Sequence, residues 1–136
     1  MSLKEENRRD IVLYRIERAF IALEQAKGNL KMNYIEVTAN RLYYAAFYAV
    51  SSLLIAYEIP AHSHDGNIQM FGLHFVKTGV IPRDMGKLLK ELFGMRQTGD
   101  YSDRFGLTEE DVIPKIQPTE DFVNHVTNMA KAKLGL

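Results

Sequence analysis

Sixteen consecutive residues, Leu42 to Tyr57, contain no charged side chain, and this run constrains the fold more than any other stretch. Ala, Ser, Leu and Tyr are mixed around every side of the helix it would form, the pattern of an element enclosed by others rather than laid on a surface. The run is shorter than the ~20 apolar residues of a membrane span, and Arg41 and Glu58 close its ends. It therefore reads as the central helix of a water-soluble bundle, spanning about Ile35 to Glu58 and stopped by Ile59-Pro60, because proline disfavours helical geometry at the residue before it.

The flanking sequence supplies the helices that would surround it. From about Glu5 to Leu30, apolar residues at Val12, Ile16, Ala19, Leu23, Ala26 and Leu30 recur at intervals of four and three, one face of a long amphipathic helix. Its other side carries Arg8, Arg15 and Arg18 among Glu17 and Glu24, either a solvated face or a basic binding stripe. Ser63 is placed to cap a short third helix with Ile68, Phe71, Phe75 and Val76, and Thr78-Gly79 to end it. Pro82 opens a fourth helix reaching Arg96 or a little beyond, followed by a loop over residues 99–106. Thr108 starts a short turn, and a last helix runs from about Pro118 to Leu134. No alternating apolar run argues for a sheet. The expectation is an all-α, antiparallel up-and-down bundle of four to five helices, one domain over residues 1–136.

Bulk properties narrow the chemistry. The net charge is zero and there is no cysteine, which excludes disulfide frameworks, thiolate catalysis and a globally basic nucleic-acid binder; any phosphate site must be a local patch. The N-terminus lacks a secretory pattern, so a cytoplasmic location without membrane association is expected. Three clusters remain as candidates. Arg96 precedes Asp100 and Tyr101; it is spaced to pair with Asp100 along a helix, or to hold a phosphate with its planar fork. His62, His64 and Asp65, with His74 downstream, offer metal-ligand types without ligand spacing on a rigid element, so a loop-anchoring role is the default and no metal is assigned. Arg41 lies three and seven residues before Tyr44 and Tyr48, as a snorkelling cation on packed aromatics or as part of a site.

Asn40-Arg41-Leu42-Tyr43-Tyr44-Ala45-Ala46-Phe47-Tyr48-Ala49, Ser63-His64-Asp65-Gly66, residues 75–82 and Arg96-Gln97-Thr98-Gly99-Asp100-Tyr101 together resemble, in order, the HEPN domain (higher eukaryote and prokaryote nucleotide-binding). The likeness is to small prokaryotic members encoded beside a minimal nucleotidyltransferase. It implies a four- to five-helix bundle, a homodimer, a separate nucleotidyltransferase as partner, a role of toxin-antitoxin type and no cofactor. Many members are metal-independent ribonucleases with Arg, four to six residues, then His. Arg96 matches the arginine, but no histidine follows at that spacing. Tyrosine titrating near ~10 and aspartate near ~4 do not replace an imidazole near ~6.5 in moving protons at neutral pH. Three functions follow: a dimer binding nucleotide, RNA or the nucleotidyltransferase through Arg96, Asp100, Tyr101, Arg41 and Tyr44; a toxin ribonuclease using Arg96 with a histidine from elsewhere, His64 first; or a structural interaction module.

Overall fold

The computed structural model describes residues 3–101 and 106–136, with the side chains of residues 3 and 99–101 outside that description. The order is α1 (Leu3–Lys31), α2 (Ile35–Ala56), α3 (His64–Phe71) prolonged by a turn of π-helix over Gly72–Val76, α4 (Arg83–Tyr101), α5 (Glu109–Val112) and, through a 3-10 turn, α6 (Ile116–Lys133). Among the described residues there is no strand, and no helix is long and apolar enough to cross a membrane.

α2 is the axis of the bundle: α1, α3, α4 and α6 all pack on it. Small residues set how closely. Ala39, Ala45, Ala46 and Ala49 of α2 are fully buried, as are Ala19 and Ala26 of α1, so the two backbones approach without interposed side chains. Thr38 seals this contact by donating its hydroxyl to the Ala26 carbonyl of α1 at 3.3 Å and to Tyr34 O at 3.0 Å. Elsewhere larger groups fill the space: Phe122 of α6 meets Phe71 of α3 with ring centroids 5.6 Å apart, both enclosed. The buried hydroxyls of Ser52 and Thr127 return their hydrogen bonds to Ala49 O and Val123 O of their own helices, so neither is left unsatisfied.

Three helix ends differ from expectation. α2 stops at Ala56 rather than Glu58, because Glu58 adopts φ 57° and the chain closes with Glu58 N–H to Ile55 O and Ile59 N–H to Leu54 O. That left-handed cap ends the helix before Pro60 can, and Arg8 of α1 holds Glu58 at 2.8 Å. α4 continues to Tyr101, through the glycine expected to begin a loop. A single helical glycine costs only about 1 kcal/mol, too little to break a helix with no proline behind it. α6 starts at Ile116, placing Pro118 inside its first turn, where the missing N–H would have had no intrahelical acceptor.

Candidate functional site

Where α2, the start of α3 and the last turns of α4 meet, aromatic rings and cations replace the alanine-rich packing. Tyr43 is fully buried on α2, yet its hydroxyl is satisfied: it lies 2.7 Å from His64 Nδ1. His64 is the first residue of α3 and is fixed there by the preceding residue, since Ser63 Oγ accepts the Gly66 N–H at 2.8 Å as an N-cap. The imidazole sits among Phe47 (4.6 Å between centroids), Tyr43 (5.6 Å), Tyr44 (5.7 Å) and Phe93 of α4 (6.4 Å). Ser63→Ala should therefore cost about 1 kcal/mol of stability, read by urea denaturation, and loosen the His64 ring, read by broadening of its NMR resonances.

Two arginines converge on one ring. The Arg96 guanidinium lies 5.4 Å from the centre of Tyr44 and 5.9 Å from that of Tyr43; the Arg41 guanidinium lies 4.9 Å from Tyr44. Arg41 is held there by neutral acceptors, Asn40 Oδ1 at 2.8 and 3.0 Å and Gln25 Oε1 at 3.1 Å, so its charge is positioned without being neutralised. Each cation–π contact contributes about 0.5–2 kcal/mol, enough to offset part of the repulsion between two like charges brought together.

This surrounding sets the protonation of the pair beneath it. Burial, then the positive charge of Arg96, pushes the His64 pKa below its ordinary value, while Asp65 opposes them. Burial also pushes Tyr43 far up, reinforced by Tyr44 and Asp65 and opposed by Arg96. At neutral pH His64 is a neutral imidazole and Tyr43 a neutral phenol. If Tyr43 donates, the imidazole carries its own proton on Nε2.

Of the residues singled out in the sequence, Arg41, Tyr44, His64 and Arg96 come together. The backbone of Asp100 and Tyr101 lies on α4 one turn beyond Arg96, but their side chains, and hence the expected Arg96–Asp100 pair, fall outside the described residues. His62 and His74 are exposed, and among the described residues no three His, Asp or Glu side chains are grouped to hold a metal. Tyr43 and Phe93 were missed as site residues. For Tyr43 the signal existed: a tyrosine inside an uncharged, enclosed run needs a partner for its hydroxyl.

The family profile described as HEPN domain matches residues 12–129. The chain belongs to the HEPN domain family. It is 36% identical over 119 residues to a UPF0332 protein of Thermotoga maritima, covering 88% of this chain and 90% of that protein. Two Methanocaldococcus jannaschii proteins named "Putative toxin" are also similar, one 28% identical over 109 residues (80% of this chain, 74% of that protein), the other 33% identical over 91 residues (67% of each). In this HEPN chain the segment after Arg96 supplies no histidine, and the imidazole that senses the Arg96 charge is that of His64, from a different helix.

Proposed function

We propose that this toxin-like HEPN protein acts on RNA at the cluster built on Tyr43 and Tyr44. Arg96 and Arg41 hold phosphate groups, the tyrosine rings flank a base, and Asp100 and Tyr101 on the next turn of α4 add ligand contacts. One observation carries this reading: two guanidiniums share the Tyr44 ring, and Arg41 is steadied by amides rather than by a carboxylate. Arg41 has no carboxylate partner among the described residues, so an anion would complement it, and planar forks over aromatic rings suit a nucleotide's phosphate and base together. A homodimer is the assembly this reading anticipates, and a separate minimal nucleotidyltransferase its partner.

The test is fluorescence anisotropy with a labelled oligoribonucleotide. Arg96→Gln should weaken binding by about tenfold or more, since a hydrogen bond to a charged group contributes about 1.5–3 kcal/mol, with the melting temperature unchanged. A variant that melts lower but binds as before would make the cluster a structural brace. Light scattering that finds only monomers at micromolar concentration would count against the dimer.

The Tyr43–His64 bond favours a second reading, cleavage. With His64 Nδ1–H donating to the Tyr43 oxygen, the neutral imidazole keeps a lone pair on Nε2 near the phosphate clamp, and that nitrogen can accept the proton of a ribose 2′-hydroxyl as its oxygen bonds to phosphorus. The P–O5′ bond then breaks, and the proton passes to the departing 5′ oxygen, leaving a 2′,3′-cyclic phosphate. Incubating RNA with the protein in excess EDTA decides it: products ending in cyclic phosphate support the reading, and intact RNA removes it.

A further inference from the structure

The arginines of α1 are not used by the site described so far, yet they point at it. Arg15 and Arg18 both place their guanidiniums over the ring of Tyr48, at 5.7 and 5.5 Å, and Tyr48 lies one turn of α2 beyond Tyr44, with ring centroids 6.0 Å apart. Rings and cations therefore continue without a break from Arg96 and Arg41 on Tyr44 to Arg15 and Arg18 on Tyr48.

Charge along α1 is sorted accordingly. Arg8, Ile11, Arg15, Arg18 and Gln25 follow one another at helical spacing on a stripe facing α2, ending on the Gln25 side chain that accepts from Arg41. Asp10, Glu17 and Glu24, each seven apart, form a separate line roughly 130° round the helix at 100° per residue. Arg8, at the start of this stripe, is paired with Glu58, and away from it Lys27 pairs with Glu120 and Lys115 with Glu91. Arg15, Arg18 and Arg41 make no ion pair among the described residues, and Arg15 Nε is buried with no hydrogen-bond partner. A chain with zero net charge has gathered three guanidiniums without ion-pair partners among the described residues along one side of the α1–α2 contact, Arg18 being hydrogen-bonded to Tyr48.

From this we infer that the surface where α1 meets α2, presenting Arg15, Arg18 and Tyr48, is a second binding segment that takes the flanking nucleotides of a single-stranded RNA whose central phosphate sits at Arg96 and Arg41. The inference rests on the RNA reading of that site and extends it. The alternation of rings and guanidiniums selects nucleic acid over an acidic protein surface: base faces stack on tyrosine or on the guanidinium plane, while phosphates meet the N–H edges. Carboxylate side chains would use the charge and leave the stacking faces unmatched.

Labelled 2′-O-methyl oligouridylates, which lack an attackable hydroxyl, test it in trinucleotide and nonanucleotide form. The nonanucleotide should bind more tightly. The double variant Arg15→Gln/Arg18→Gln should weaken it by about tenfold and lower the magnitude of its salt slope by about 1.4, two single-strand phosphate contacts, with trinucleotide affinity held within about twofold. Tyr48→Leu should weaken the nonanucleotide by about fivefold or more. Both arginines are partly exposed, so the double variant should fold, and its melting curve verifies this. In Arg15→Lys/Arg18→Lys the salt slope should return while part of the affinity stays lost, because lysine restores charge without a stacking plane. Should the double variant bind the nonanucleotide normally while Arg96→Gln binds neither oligomer, the track is refuted and the site stands. Should the wild type bind neither, the RNA reading fails and the track with it. Displacement of the nonanucleotide by poly-glutamate at equal charge concentration, as effectively as by unlabelled oligomer, would assign this surface to an acidic protein and overturn the RNA assignment.

Discussion

Phe122→Ala is expected to lower the unfolding free energy by about 3–5 kcal/mol, in the range measured when a fully enclosed aromatic ring is truncated. Phe122 has no exposed surface, and it is the residue through which α6 reaches Phe71 and, behind it, Phe75 at 6.2 Å from Phe71. These three rings tie the last helix to the segment where α3 passes into π-helix. No polar group can compensate for the space left behind. At about 3 °C per kcal/mol for a chain of this size, the melting temperature should fall by roughly 10–15 °C. Urea denaturation followed by circular dichroism gives the free energy directly. Oligoribonucleotide affinity at low temperature should stay near wild type, because α6 contributes no side chain to the Tyr43–Tyr44 cluster. A loss below about 1 kcal/mol would mean that the surrounding helices close the cavity and that α6 is held by its contacts with α2 instead.

The scaffold was legible from residue pattern because its determinants are local or periodic. An uncharged run from Leu42 to Tyr57 calls for enclosure, and most of it is buried, with Tyr44, Phe47, Tyr48 and Ile55 partly open and Tyr57 exposed at its end. Ser63 and Gly79 announce a cap and a stop through side-chain chemistry and backbone freedom, and Ser63 Oγ caps α3 while Gly79 takes φ 81°. Helix ends were less legible, since they depend on which of several competing caps closes. Glu58 entered a left-handed conformation that its residue type does not advertise, and Gly99 remained helical where a break was expected. The π-helical turn over Gly72–Val76 left no sequence signal at all. As for the site, Arg41, Tyr44 and Arg96 were identifiable as chemistry, but their convergence with His64, thirty-two residues before Arg96, depends on how α3 and α4 settle against α2. Tyr43 was hidden by its neighbours: within an apolar run it reads as packing, and only the partner of its hydroxyl reveals its second role.

That partner gives the prediction with the largest effect on activity. If the protein cleaves RNA through His64, His64→Gln should lower the rate by about 10²–10⁴-fold, the usual contribution of a general acid–base group. Its effect on binding should be far smaller than that of Arg96→Gln, because the imidazole is neutral and does not hold phosphate. The pH dependence follows from the direction of the shift. Burial and Arg96 hold the His64 pKa below its ordinary value, so the base form persists to lower pH and the acid limb of the rate profile should fall below ~6.5. Tyr43→Phe removes the hydroxyl bonded to Nδ1 and should displace that limb and slow the reaction while leaving binding intact. Stability supplies a readout that does not need activity. A histidine whose folded pKa is depressed is neutral in the native state and must take up a proton against burial as the medium is acidified. Its contribution to stability is fully present above ~6.5 and is lost as pH falls through the lower folded value. The melting temperature of the wild type should therefore drop across that interval, and the His64→Gln protein should lack that component of the drop. Equal acid sensitivity in both proteins would mean that His64 titrates as it does in the unfolded chain. The Tyr43–His64 pair would then be too open to water to hold a poised base beside Arg96.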